Sequence, residues 1–145
     1  MIEGLSHITL VVSDLEKSER LIIEVLGGKK IYASGKKQFS ISKEIFFDVQ
    51  GIWLVLREGK SLVEKTYNHI AFKIDKADLA KAEAAVQKLG LEIKSSRNRT
   101  AEEAKSIYFY DYDNHLFEIH FWRFNVDAML FKMMNSVVKM LAGVE

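Results

Sequence analysis

Apolar residues alternate with polar or small ones in two short stretches, His7-Ile8-Thr9-Leu10-Val11-Val12 and His69-Ile70-Ala71-Phe72-Lys73-Ile74. A period of two predicts half-buried strands. In the first, Ile8, Leu10 and Val12 turn to a core while His7 and Thr9 turn away; in the second, Ile70, Phe72 and Ile74 oppose His69 and Ala71. A helical stretch follows each, from Asp14 to Leu26 and from Asp75 to Leu89, then a glycine and a short strand, Lys29 to Ile31 and Leu91 to Lys94. Two more strands complete each half: Phe39 to Val49 and Ile52 to Leu56, then Ser106 to Tyr110 and His115 to Phe121. Turns at Gln50-Gly51 and Asp113-Asn114 separate them.

Superposing His7 on His69 brings Gly28 onto Gly90 and one helix onto the other. The chain thus reads as a duplication of a strand, a helix and three strands, residues 1–60 and 61–122. The expected class is α+β: two βαβββ units forming a curved sheet, helices outside, around a cleft. A sandwich of unrelated halves is the alternative, and it leaves the matched register unexplained. Residues 123–145 break the pattern. Val126, Met129, Leu130, Met133, Met134, Val137, Val138 and Leu141 fall at helical spacing, with Asn125 available as a cap. This predicts an amphipathic helix that packs on the chain or on a dimer mate, in preference to a methionine-rich surface for another partner.

Composition narrows the chemistry. A length of 145 residues with 48% hydrophobic content supports one compact domain. Lys and Arg total 21 against 20 Asp and Glu, so a net charge of +1 gives no reason to expect nucleic acid. The chain has no cysteine, so a metal would have to use histidine and carboxylate. The start lacks the pattern of a signal peptide, and no apolar run approaches the roughly 20 residues of a membrane span. A soluble cytoplasmic protein without a membrane partner is the expectation.

Each histidine-bearing strand sets an apolar face against a face with a possible ligand, and so does the last strand, where Glu118 shares a face with Leu116 and His120. His7, His69 and Glu118 could converge as a two-histidine, one-carboxylate site with open positions, suited to Mn²⁺, Fe²⁺, Zn²⁺ or Ni²⁺. Singly, each reads as an ordinary polar residue on a wet strand. Their matched places in two repeats favour the metal. His115 follows a turn and His120 is near a strand end, so surface or supporting roles suit them better. Alternation puts Glu44 on one face with Ser40, Ser42 and Phe46, where a partly desolvated carboxylate could act as a general base; position alone favours a surface glutamate paired with Lys43 or another lysine. Arg97, Arg99 and Lys105 flank a polar loop, and Ser106, Tyr108 and Tyr110 share a strand face. They could form an anion pocket or simply be solvated.

Met1 through Thr9, Phe39 through Phe47, Tyr67 through Phe72, and Ser106 through His120 resemble the fosfomycin resistance proteins of the epoxide hydrolase type, within the vicinal oxygen chelate family. The resemblance covers roughly residues 1–120 and implies several assignments. A divalent metal, usually Mn²⁺, would be held by His7, His69 and Glu118, and Glu44 would be the base that makes the enzyme add water instead of a thiol to the epoxide of fosfomycin. Thr9, Tyr67, Arg97, Arg99, Ser106 and Tyr108 fall at positions expected around the phosphonate. Family homodimers build each site from the amino-terminal half of one chain and the carboxyl-terminal half of the other, so His7 would come from the partner. The alternatives within the fold are a thiol transferase, another chelate-type enzyme, or a drug-binding protein without metal. The sequence departs from the family at Ala101-Glu102-Glu103-Ala104-Lys105, which adds negative charge where a glycine-containing loop is usual. It departs again after His120, where a family arginine falls on Asp127.

Overall fold

The computed structural model describes residues 1–35, 42–94 and 104–122. The elements run β1 (His7–Val12), α1 (Leu15–Glu24), β2 (Lys29–Ala33), β3 (Glu44–Val49), β4 (Ile52–Glu58), β5 (His69–Lys73), a 3-10 turn (Lys76–Asp78), α2 (Leu79–Lys88), β6 (Ile93–Lys94), β7 (Ala104–Tyr110) and β8 (Leu116–Trp122). Strand, helix and three strands therefore occur twice. The predicted helix over 75–89 is split into a 3-10 turn and α2, and the strand predicted from Phe39 starts at Glu44, with Ser42 and Lys43 outside it and residues 39–41 outside the described residues. Residues 123–145, the predicted amphipathic helix, lie outside the described residues, as do Arg97 and Arg99.

Each copy makes its own four-stranded sheet, β1-β4-β3-β2 and β5-β8-β7-β6. In both, the first strand runs parallel to the last, and the remaining neighbours pair antiparallel. The hairpin β3–β4 closes through Gln50 and Gly51 at φ 53 and 85, a left-handed pair whose backbone twist suits a two-residue turn. Helix α1 starts at Asp14, whose carboxylate accepts the Lys17 N–H at 3.0 Å, and turns Ser18, Leu21 and Ile22 inward. The helices end differently by one residue: the left-handed glycine after α2 is Gly90 (φ 73), while after α1 it is Gly27 (φ 67) and not Gly28. Gly28 is required for another reason, since a Cβ there would lie 2.6 Å from Ile22 Cγ2.

The alternation read from the sequence sorts the faces. Leu10, Val12, Ile45, Phe47, Leu54 and Leu56 of the first sheet and Ile107, Phe109, Phe117 and Ile119 of the second are buried in one continuous core, with Leu21, Ile22, Ala82 and Val86 from the helices. Phe109 and Phe117 stack at 5.5 Å, and both are fully buried, worth about 2–3 kcal/mol each in area removed from water. Polar bonds at Asp113, itself fully buried, tie the two copies together. Its Oδ1 accepts the Ser13 N–H at 2.9 Å and the Ser61 hydroxyl, and its carbonyl accepts the Leu62 N–H at 3.1 Å. Asp111 braces that turn, accepting from the Asp113 and His115 N–H groups and pairing with His115 Nδ1 at 2.7 Å. His115 is thus a turn residue, as its position implied.

Candidate metal and base site

With the core on one side of each sheet, the opposite faces carry the chemistry. On the second sheet, Tyr108 stands opposite Glu118 and Ser106 opposite His120, while β5 brings His69 alongside. Ser106 Oγ donates to Glu118 Oε1 at 2.7 Å, and His69 Nε2 lies 3.1 Å from Glu118 Oε2. His69 Nδ1 is 2.9 Å from the Tyr67 carbonyl oxygen. A carbonyl only accepts, so Nδ1 carries a proton, and an Nε2 without one would point a lone pair at Glu118. Two electron-rich atoms at that separation are stable only with a positive charge between them, either a proton on Nε2 or a shared cation.

Burial alone would raise the Glu118 pKa, but the Ser106 and Tyr108 hydroxyls, helped by the charges of His120 and His69, outweigh it and hold the carboxyl below its ordinary value. Tyr108 is driven the other way: burial first, then the facing Glu118 carboxylate, push its phenol up to about 12. The pair therefore keeps a charged acceptor beside a protonated hydroxyl at neutral pH. Tyr67, 64% exposed, packs edge-on against His69 with ring centroids 5.5 Å apart. Nitrogen and carboxylate oxygen donors, one oriented by a backbone carbonyl and the other by a hydroxyl, suit a borderline-to-hard divalent cation.

The first sheet presents a different face. His7 is exposed, with Ser6 Oγ 3.1 Å from its Nδ1, and Thr9 follows on the same face. Glu44 is buried to 9% exposure, and Arg57, directly opposite on β4, donates from Nη2 to its Oε2 at 2.9 Å. The sequence-adjacent Lys43 pairs instead with Glu58, at 3.7 Å, so the surface pairing expected for Glu44 does not form. Between His7 and this pair lie aromatic rings: Phe46 meets Tyr32 and Trp53 edge-on at 5.7 and 6.4 Å. Tyr32 and Trp53 are 40% and 49% exposed, an apolar surface unlike the polar face of the second sheet. Arg57 escaped sequence reasoning because only the β3–β4 register reveals that it faces Glu44.

Within one chain, then, His69, Glu118, Ser106 and Tyr108 come together, Glu44 and Thr9 share the other sheet's open face with His7, and the two groups stay apart. Among the described residues no three His, Asp or Glu side chains gather as a metal site.

Residues 4–119 match the profile of the Glyoxalase/Bleomycin resistance protein/Dioxygenase superfamily. The chain belongs to that superfamily. Within it, the fosfomycin resistance protein FosX of Listeria innocua is 51% identical over 120 residues, covering 83% of this chain and 90% of its own length. A metallothiol transferase FosB of Bacillus licheniformis stands further off, 34% identical over 81% of this chain and 74% of its own. Among solved structures of the superfamily, FosX from Mesorhizobium loti superposes with a TM-score of 0.76 at 45% identity, covering 89% of this chain and 99% of that one. A variant of Listeria monocytogenes FosX, solved with Mn(II) and 1S,2S-dihydroxypropylphosphonic acid, gives 0.73 at 47% identity over 83% and 90%. These likenesses agree with the paired βαβββ fold read from the duplication.

Proposed function

We propose that this chain is a Mn(II)-dependent enzyme that adds water to the epoxide of fosfomycin, giving the vicinal diol and so resistance to the drug. The observation that carries the choice of water over a thiol is Glu44, a buried carboxylate with Oε2 tied to Arg57 and Oε1 without a hydrogen bond among the described residues. The diol phosphonate found with Mn(II) in the Listeria monocytogenes protein is what water addition to fosfomycin produces.

His69 and Glu118 would hold the metal together with His7 of the partner subunit in a homodimer, since His7 stands away from them in its own chain. The exposed Tyr32 and Trp53 favour that assembly, being the apolar surface that a second copy would cover. Bound Mn(II) would supply Lewis acidity at the epoxide oxygen and a counter-charge for the phosphonate. The remaining work falls to the chain. Tyr67 holds His69 in the ligating tautomer through its carbonyl, and Ser106 fixes the Glu118 carboxylate. Glu44 Oε1 takes a proton from water as the water oxygen bonds to an epoxide carbon and that carbon's bond to the epoxide oxygen breaks; the opened oxygen takes a proton from solvent, and Glu44 returns its own to solvent. Thr9, on the sheet that carries His7, and Tyr67, Ser106 and Tyr108 of the other subunit surround the phosphonate, with Arg97 or Arg99 adding charge. On this reading residues 1–60 and 61–122 are the two units of one compact domain, and the protein works in the cytoplasm. No helix among the described residues is long and apolar enough to cross a membrane.

Phosphorus NMR of fosfomycin with the purified protein and Mn²⁺, without thiol, tests the proposal beside a Glu44→Ala control. Conversion to the diol by the wild type, reduced about 10²- to 10⁴-fold in the control, is the expected result. A folded, metal-loaded protein that leaves fosfomycin intact without thiol, but consumes it with glutathione, would overturn it in favour of thiol transfer.

A further inference from the structure

The pairing across β3 and β4 points beyond the base itself. We propose that Arg57 is a positioning residue that divides the labour of the two Glu44 oxygens, pinning Oε2 so that Oε1 alone faces the water. This rests on the reading of Glu44 as the general base.

A carboxylate on a flexible side chain rotates, and a base that must meet a water within hydrogen-bond reach loses rate when it does. Here three restraints converge. The Glu44 backbone is fixed on both sides by Ser34, whose Oγ accepts the Glu44 N–H at 3.0 Å and whose N–H donates to the Glu44 carbonyl at 3.0 Å. The ladder places Arg57 directly across from Glu44, with Val11 on the far side of Arg57. The guanidinium then donates from Nη2 to Oε2 at 2.9 Å, while Oε1 accepts nothing among the described residues. The adjacent Lys43 pairs with Glu58, so among the described residues Arg57 is the cation paired with this carboxylate.

The Arg57 side chain is 33% exposed, and its Nε is buried without a hydrogen-bond partner among the described residues, which leaves the Nη2 bond to Glu44 as the contact that directs the fork. A planar fork can present one edge to one oxygen; a lysine ammonium, a point charge on a flexible stem, cannot fix direction in the same way. The arrangement therefore supplies orientation more than charge. Arg57 stands one strand away from Thr9's strand and on the same open face, so it reaches the reaction through Glu44.

The test is steady-state turnover of fosfomycin with Mn(II) by Arg57→Gln and Arg57→Lys, each also made in a Glu44→Gln background, with Mn(II) affinity and melting temperature measured alongside. Arg57→Gln should lower kcat about tenfold to a hundredfold while KM and Mn(II) affinity stay within about twofold. Arg57→Lys should fall between it and the wild type, and it carries the test if Arg57→Gln does not fold. In the Glu44→Gln background, replacing Arg57 should cost nothing further. A raised KM at unchanged kcat would overturn the proposal by making Arg57 a substrate ligand, and so would an equal loss in both backgrounds. An inactive Glu44→Gln beside a fully active Arg57→Gln would overturn it alone, whereas a fully active Glu44→Gln would remove the base reading and this proposal with it.

Discussion

The two sheets share a scaffold and differ in what they display. Their ladders can be laid over each other: His7 sits opposite Trp53 as His69 sits opposite Leu116. Two residues further along, Val55 facing Phe46 occupies the place of Glu118 facing Tyr108. Two further still, Arg57 facing Glu44 stands where His120 faces Ser106. The first copy thus has a histidine but a buried valine in place of the carboxylate, and the second has both but lacks the base pair. Duplication supplied two identical rows of positions, and the side chains on those rows then parted. On the proposed function, one sheet supplies half of a metal site, and the other the remaining histidine, the base and an apolar surface. Among the described residues neither open face gathers three His, Asp or Glu side chains by itself.

The largest effect follows from that incompleteness. His7→Ala and Glu118→Ala should each abolish turnover and Mn(II) binding, because in the proposed homodimer every site would then lack a ligand. Refolded or co-expressed together, they form mixed dimers in which one site keeps His7 from one chain and His69 with Glu118 from the other. Activity should reappear in the mixture. A mixture as inactive as its parents, with mixed dimers confirmed by differential tagging, would break the comparison by showing that the two faces do not combine across subunits.

A smaller effect concerns what joins the copies. Asp113 accepts from Ser13 in the first copy and from Ser61 at the start of the second, so Asp113→Ala would leave two part-buried bonds without their acceptor. The expected loss is about 3 kcal/mol in urea unfolding. Asp113→Asn should cost less, since its amide oxygen keeps both contacts and the Oδ2 it replaces has no partner among the described residues. A loss under about 1 kcal/mol for Asp113→Ala would mean that apolar packing alone holds the copies together.

How much of this was legible beforehand depended on whether the information lies along the chain or across it. The repeated unit, the strand faces and the matched histidines follow from periodicity, which sequence records directly: Leu10 and Val12 are buried and His7 and Thr9 are not. The environment of Glu44 does not follow. Its neighbour Lys43 looked like its partner, yet adjacent residues on a strand point to opposite faces, and the true partner, Arg57, is thirteen positions away across a ladder. The tie between Asp113 and Ser13 spans a hundred residues and was equally hidden. Nor could alternation reveal that Tyr67 contributes a carbonyl to His69 as well as a ring, because a backbone acceptor has no residue type to read.

The smallest effect isolates the polar face of the second sheet. Tyr108 ionises at 10.0 in the unfolded chain and at about 12 when folded, because burial and the facing Glu118 carboxylate disfavour a phenolate. A raised folded pKa means that the contribution is complete below pH 10.0 and is lost as the pH rises through about 12. Tyr108→Phe should therefore flatten the alkaline fall in urea-unfolding free energy of the metal-free protein, by about 1 kcal/mol after solvent screening. The matching position of the first copy is already phenylalanine, Phe46, opposite Val55 with no carboxylate to oppose. Part of the slope should remain even so, since burial also raises Tyr112. An alkaline limb unchanged in Tyr108→Phe would place the sensitivity outside this face, and the contrast between a polar and an apolar sheet would then have no electrostatic consequence at Tyr108.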